Sequence, residues 1–372
     1  ATRSNVGTEN VTINNSPKQY VGSLVGYVNS CAGISNCYAI NPTITGDEYV
    51  GGLIGYATSI TSGISNCYVQ SGTLTAADYC GGIVGSNAGV AISNSYSNAN
   101  IATNESGIFQ LFTYISREWF NQTYFGGISG NNGGTTNNSY YSSNADFPYT
   151  AHSQTGTTGK TTAELQALAS TLGESYTNDI FSCNGGYPIL KNQSVIVTSD
   201  LVIPSTVTYN GTNHVTIADG GSLIDNSGLI ADSKITVESN MKVGAWNLWG
   251  SVLATNTADI LNTNVGTTTG SQHDIAGVQY DYSGNSWNTA TYLLKTDGLT
   301  NGEGYFVWPY AGNQADNQTS LGDGYIIVSQ NGTALNHDAS IVRTHTIEGS
   351  DVNGAKWAAL SNPYIGKLNI SD

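Results

Sequence analysis

Short apolar runs rich in Val, Ile and Tyr alternate along this chain with Gly, Asn, Ser and Thr, and through the first half the alternation repeats. Tyr20-Val-Gly-Ser-Leu-Val-Gly-Tyr27 returns as Tyr49-Val-Gly-Gly-Leu-Ile-Gly-Tyr56 and as Tyr79-Cys-Gly-Gly-Ile-Val-Gly-Ser86, with starts 29 and 30 residues apart. A second phrase travels with it: Ile34-Ser-Asn-Cys-Tyr38, Ile64-Ser-Asn-Cys-Tyr68 and Ile92-Ser-Asn-Ser-Tyr96. A weaker fourth copy, Tyr124-Phe-Gly-Gly-Ile-Ser-Gly130 with Thr136-Asn-Asn-Ser-Tyr140, follows an insertion. Runs of this kind, bounded by turn residues, predict strands. A fixed period of this length predicts a stacked repeat architecture in which no single copy buries its own apolar side.

The pattern therefore predicts an all-β chain: a β-solenoid, right-handed and β-helix-like, of coils about 30 residues long, followed by a β-sandwich-like domain. Stacking places like on like. The expected ladders are Leu24/Leu53/Ile83/Ile128, Ile34/Ile64/Ile92, Cys37/Cys67/Ser95/Ser139 and Tyr38/Tyr68/Tyr96/Tyr140. Gly26, Gly55, Gly85 and Gly130 predict corners with positive φ or close approach of neighbouring walls. Leu53 and Ile54 have opposite parity on a strand, so either both sides are covered or one sits at a bend.

The Gly-Gly-Leu-Ile-Gly and Ile-Ser-Asn-Cys-Tyr phrases resemble the GLUG motif repeat, over roughly residues 6–192. That resemblance implies a bacterial cell-surface or adhesin-like protein of Bacteroidetes type. It implies no catalytic residues, because the motif is structural.

Further along, residues 102–123 break the period and add about 15 residues. This insert carries Phe109, Phe112, Tyr114, Arg117, Trp119 and Phe120. It reads either as a loop or short helix packed on the wall, or as a ligand platform, since insertions in repeat proteins cluster on one face and often bind. Residues 161–172 predict one helix, with Thr161 and Glu164 at capping-box spacing and Leu165, Leu168 and Leu172 on one face. The helix followed by Gly186-Tyr-Pro-Ile-Leu190 resembles the usual close of GLUG regions. It is expected to cap an open end of the stack and shield its strand edges. The expected organisation is 1–192 as repeats with cap, 193–240 as a connector or second short solenoid, and 241–372 as the sandwich-like domain. The phrases Trp246-Asn-Leu and Ser361-Asn-Pro-Tyr364 are similar to modules of surface proteins exported by the type IX route.

Composition narrows the function. Charged residues make up 10% of the chain, and 26 Asp+Glu against 11 Lys+Arg leave a net charge of −15. Without a basic patch, nucleic acid and anionic membrane surfaces are not expected partners. No apolar run is long enough for a transmembrane helix. No export signal lies in this chain, whose first residues read as the end of a repeat. The expectation is a mature or trimmed chain that is extracellular or on the bacterial cell surface.

Five cysteines make no disulfide framework. Cys37 and Cys67 share a repeat position, which suits a ladder of small buried residues or a disulfide between adjacent coils. His152, His214, His273, His337 and His345 are scattered, and neither a His-Glu-x-x-His nor a Gly-x-Ser-x-Gly motif is present. Asp47, Glu48 and Asp78 are the carboxylates of the repeats. They read as edge charges that discourage strand addition, because a glycoside-cleaving site on this scaffold needs paired acids converging in one groove. No cofactor is expected. Calcium enters only at Asp/Asn/Gly-rich turns such as Asp297-Gly-Leu-Thr-Asn-Gly-Glu303, whose spacing departs from an EF-hand loop. The expected function is non-enzymatic and adhesin-like, with a surface glycan or protein as ligand. The alternatives are a β-helix polysaccharide lyase or hydrolase, and a structural subunit partnered with other surface-assembly chains.

Overall fold

The computed structural model describes residues 2–15, 17–104, 125–143, 155–230, 234–252, 275–281, 286–287, 297–300, 303–309 and 325–331. Two compact units emerge: Ala1–Gln193 with Thr208–Gly211, and Ser194–Val207 with Thr212–Asp372.

The repeats of the first unit build parallel sheets in which successive strands come from successive repeats, and Tyr176–Thr177 pairs antiparallel with Ile189–Leu190. One parallel sheet holds Gln19–Gly22, Glu48–Gly51, Asp78–Gly81 and Phe125–Gly126; the next holds Val25–Cys31, Ile54–Ile60, Val84–Ala88 and Ser129–Asn132. A third runs through Tyr38–Ile40, Tyr68–Gln70, Tyr96–Ser97 and Ser139–Ser142, and a fourth through Thr12–Asn14, Thr43–Thr45, Thr73–Ala76 and Asn100–Thr103. Register follows sequence identity. Ile44 pairs with Ile13 and Leu74, and Tyr68 pairs with Tyr38 and Tyr96. Equivalent apolar side chains therefore meet and exclude water together, each contributing roughly 1.5–3 kcal/mol. Leu53 and Ile54 are both fully buried in that core. Leu53 lies at the bend between two strands, where its amide donates to Ile83 O and its carbonyl accepts from Leu24 N.

The corners use particular residues. Asn36, Asn66, Asn94 and Asn138 take left-handed φ values of 52°, 53°, 48° and 46°, which Asn tolerates better than most side chains. After each of the first three, the residue at 37, 67 or 95 donates its thiol or hydroxyl to the carbonyl two positions back. The distances are 3.2 Å from Cys37 to Ser35, 3.2 Å from Cys67 to Ser65 and 2.8 Å from Ser95 to Ser93. Ser139 repeats the bond to Asn137 at 3.0 Å. Cys and Ser interchange along this ladder because either one satisfies the same carbonyl. All five cysteines are free thiols.

Gly26, Gly55 and Gly85 are not left-handed. They answer to close approach instead: a Cβ on Gly55 would lie 2.5 Å from Gly26 O and from Tyr20 C.

The segment from 161 to 193 departs from its expected form and place. Its helix is two short pieces, Thr162–Gln166 and Ala169–Leu172, the first opened by a full capping box of Thr161 and Glu164. The segment does not sit over an open end. It straps the side of the repeats, across the Tyr38/Tyr68/Tyr96/Tyr140 column. Leu165, Leu168 and Leu172 pack on these rings. Asn138 Nδ2 donates to Thr171 O at 3.0 Å, Tyr176 Oη to Asn94 O at 3.1 Å, and Tyr68 Oη to Gln193 Oε1 at 2.7 Å. Asn192 reaches Asn5 at 2.9 Å. Large outward-facing rings need cover more than a strand edge does, and that decides where the leucine face docks.

In the second unit, Val195–Val197, Val215–Ile217 and Ile235–Lys242 pair in parallel, and Asp200–Ile203 pairs in parallel with Ser222–Asp225. Ile235–Lys242 also pairs antiparallel with Tyr325–Asn331, so one strand serves both patterns. A separate antiparallel sheet joins Asn247–Trp249, Tyr305–Pro309, Ile275–Asp281 and Ser286–Trp287.

Candidate functional site

Tyr20, Tyr49 and Tyr79 open successive copies of the first phrase and carry φ values of 62°, 56° and 55°. A bulky residue in the left-handed region is a backbone outlier. Here it breaks the two-residue alternation of the strand: Glu48 and Tyr49 both stay near the surface while Val50 and Gly51 are both buried, and Asp78–Gly81 repeats the pattern. The rings stack in a column, Tyr20 on Tyr49 at 5.0 Å and Tyr49 on Tyr79 at 4.7 Å. A second column stands beside it, Tyr27 on Tyr56 at 5.3 Å. The two columns meet edge to face, with Tyr20–Tyr27 at 5.3 Å and Tyr49–Tyr56 at 5.6 Å. Both geometries suit the ring quadrupole. Tyr27 is 49% exposed and Tyr20 38%, and Tyr49, Tyr56 and Tyr79 are partly exposed, so the two contiguous columns reach solvent, most openly at Tyr20 and Tyr27.

Carboxylates border the face. Gln19, Glu48 and Asp78 are register partners, and Gln19 Nε2 donates to Glu48 Oε2 at 2.9 Å. The Tyr49 phenol is pushed above its ordinary pKa, first by burial and then by the negative charge of Glu48.

The Tyr38/Tyr68/Tyr96 column is the internal comparison. It stacks equally well, at 5.3 and 5.1 Å, but the strap covers it, and Tyr68 and Tyr96 are fully buried. Tyr96 Oη donates to Pro188 O at 2.6 Å and accepts from Asn184 Nδ2 at 2.9 Å. Burial pushes the phenols of Tyr68, Tyr96 and Tyr176 well above the ordinary range. The folded state therefore holds protons that the unfolded chain releases above about pH 10. Their contribution to stability is full below that pH and declines as pH rises further. The buried thiols of Cys67, Cys80 and Cys183 are raised too, so urea midpoints of the first unit should begin to fall from about pH 8.5 and fall more steeply above about pH 10, and Tyr96→Phe should make that second stage shallower.

The aromatic residues expected to form a platform, Phe109, Phe112, Tyr114, Arg117, Trp119 and Phe120, lie outside the described residues. The ladder residues Leu24, Ile34, Ile64, Ile83 and Ile92 lie in or against the core, with Cys37 and Cys67 among them. The open tyrosine face was not singled out from the sequence. Its signal was present in the shared repeat position of Tyr20, Tyr49 and Tyr79 and in the matching pair Tyr27 and Tyr56.

A cleft of about 770 Å³ also lies in the first unit, between the strap and residues 208–210, lined by Ser170, Tyr176, Asn178, Lys191 and Tyr209 among others. Glu174 is the carboxylate in its lining, so it offers no acid pair. Among the described residues no group of three or more His, Cys, Asp or Glu could hold a metal ion. At the Asp297–Glu303 turn, Thr300 N donates to the Tyr305 hydroxyl at 2.8 Å and Glu303 N to Thr300 O at 3.1 Å. His214 Nε2 lies 2.6 Å from Thr236 Oγ1. Among the described residues no helix is long and apolar enough to cross a membrane.

No family model matches the chain, and no curated protein or solved structure matches it either.

Proposed function

We propose that this chain is a non-enzymatic, extracellular surface protein of adhesin type. In this reading residues 1–192 form a β-solenoid of GLUG-like coils, a stiff spacer whose side wall binds a glycan or protein ligand. Residues 193–240 connect it to a sandwich-like module at 241–372. The observation that carries the proposal is that one unit holds three tyrosine columns, of which the chain covers one and leaves an adjoining pair open. Soluble proteins rarely leave contiguous apolar surface uncovered unless something binds there. In-register parallel pairing of every repeat supports the solenoid, since each layer then hydrogen-bonds to the next.

A glycan and extracellular-matrix protein array, run together with a polysaccharide-degradation screen, tests this reading. The expected result is binding without turnover, lost when Tyr27 and Tyr56 are both changed to Ala. Release of products from any polysaccharide would replace it with the lyase or hydrolase reading.

A further inference from the structure

We propose that the open tyrosine face, Tyr20, Tyr27, Tyr49, Tyr56 and Tyr79 with Glu48 and Asp78 at its border, docks a basic polypeptide segment of a partner protein. The inference rests on the binding-wall reading and names the ligand of that wall.

Two observations select this occupant. The first is how the chain covers its own equivalent column. There the partner of stacked tyrosines is polypeptide: leucine side chains lie on the rings, and backbone carbonyls or a side-chain amide take the phenol hydroxyls, as Pro188 O and Gln193 Oε1 do. The open column presents the same rings in the same stacked spacing.

The second is charge. Glu48 and Asp78 pair in register beside the rings, Asp47 precedes Glu48, and Lys18 is the cation next to Gln19. Carboxylates therefore outnumber cations at this border, in a chain whose net charge is −15. Tyr49 feels both carboxylates. A guanidinium or ammonium group gains from a tyrosine ring and from a carboxylate together, and Arg in addition stacks its planar head on aromatic rings. An anionic glycan meets repulsion from the same border. A neutral glycan gains from the rings and can donate its hydroxyls to the carboxylates, but draws no charge attraction from the acidic border.

Titration calorimetry of the full chain with hexa-arginine, hexa-lysine, hexa-glutamate and cellohexaose tests the proposal. Hexa-arginine should bind tightest, with affinity falling as salt rises. Changing both Tyr27 and Tyr56 to Ala leaves the net charge unchanged and should weaken that binding about tenfold. Changing Glu48 to Gln together with Asp78 to Asn should weaken it several-fold and flatten its salt dependence. Urea midpoints of both variants confirm that the fold is intact, and the single change Tyr27→Ala, at the most exposed ring, serves if the pair unfolds. Equal binding of hexa-arginine by wild type and tyrosine variant means diffuse attraction to an acidic chain and overturns the proposal, as does absence of binding. Cellohexaose binding that is lost with the tyrosines, without peptide binding, overturns the basic-segment assignment and leaves the binding wall standing. If no probe binds and the array is also blank, both fall.

Discussion

Changing Tyr96 to Ala should cost the first unit about 4–5 kcal/mol, a large fraction of a domain's usual stability. Tyr96 is fully buried between Tyr68 and the strap, with Tyr187 and Tyr176 also against it. Its removal deletes an aromatic side chain from a closed site and takes one hydrogen bond each from Pro188 O and Asn184 Nδ2, which keep a 3.0 Å bond to each other. The Asn184 amide also donates to Tyr187 O at 3.2 Å. Its loop is pinned by Asp179, whose carboxylate accepts from Cys183 N at 3.1 Å, Asn184 N at 2.8 Å and Gly186 N at 3.1 Å. Tyr96→Phe keeps the ring and removes only the hydroxyl, whose two partners remain bonded to each other, so it should cost about 0.5–1.5 kcal/mol. Hydrogen exchange at amides between residues 60 and 100 reads the first unit by itself. If Tyr96→Ala and Tyr96→Phe cost the same, ring burial under the strap is not what holds this wall.

The tyrosine columns were readable in the sequence because a stacked repeat turns spacing along the chain into position in space. Tyr38, Tyr68 and Tyr96 are 30 and 28 residues apart, and they pair in register. Which column is covered was not readable. Thr161, Glu164 and the leucines specify a helix start and an apolar face, but nothing local says which surface that face meets. The contacts that answer it span 82 residues from Tyr176 to Asn94 and 125 from Gln193 to Tyr68. An exposed strand edge and an exposed aromatic wall are both plausible docking places, and ring area decided for the wall.

The open face was hidden for a different reason. Alternation along a strand assigns each residue to one side or the other. Left-handed φ at Tyr20, Tyr49 and Tyr79 interrupts that parity, and Tyr is not a residue type that advertises such a turn. The glycines mislead in the opposite sense. Composition makes them candidates for positive φ at the corners, whereas Asn and Tyr supply it there and Gly26, Gly55 and Gly85 supply thinness.

That thinness sets up the sharpest structural test. A Cβ added at Gly85 would lie 2.5 Å from Tyr49 C and 2.6 Å from both Gly55 O and Val50 N. Every one of these atoms is backbone of the neighbouring repeat, so no side chain can swing aside. Relief requires the two layers to separate, and just before Gly85 they are tied by Leu53 N and Ile54 N, which both donate to Ile83 O, at 3.0 and 3.1 Å. Gly85→Ala should therefore cost more than about 3 kcal/mol, beyond ordinary overpacking. Gly89→Ala is the control. Nothing lies within 4 Å of its Cβ, and only its φ of +86° opposes a side chain, so it should cost about 1–2 kcal/mol. Urea unfolding of the two variants separates the explanations: equal costs would mean that interlayer contact is not what these glycines serve. The clash also reaches the proposed binding face. Gly85 presses on the backbone of Tyr49, whose ring holds Tyr20, Tyr56 and Tyr79 in place. A methyl group at residue 85 should therefore loosen the open columns along with the stack, and any Gly85→Ala protein that still folds should bind hexa-arginine less tightly than the Gly89→Ala control.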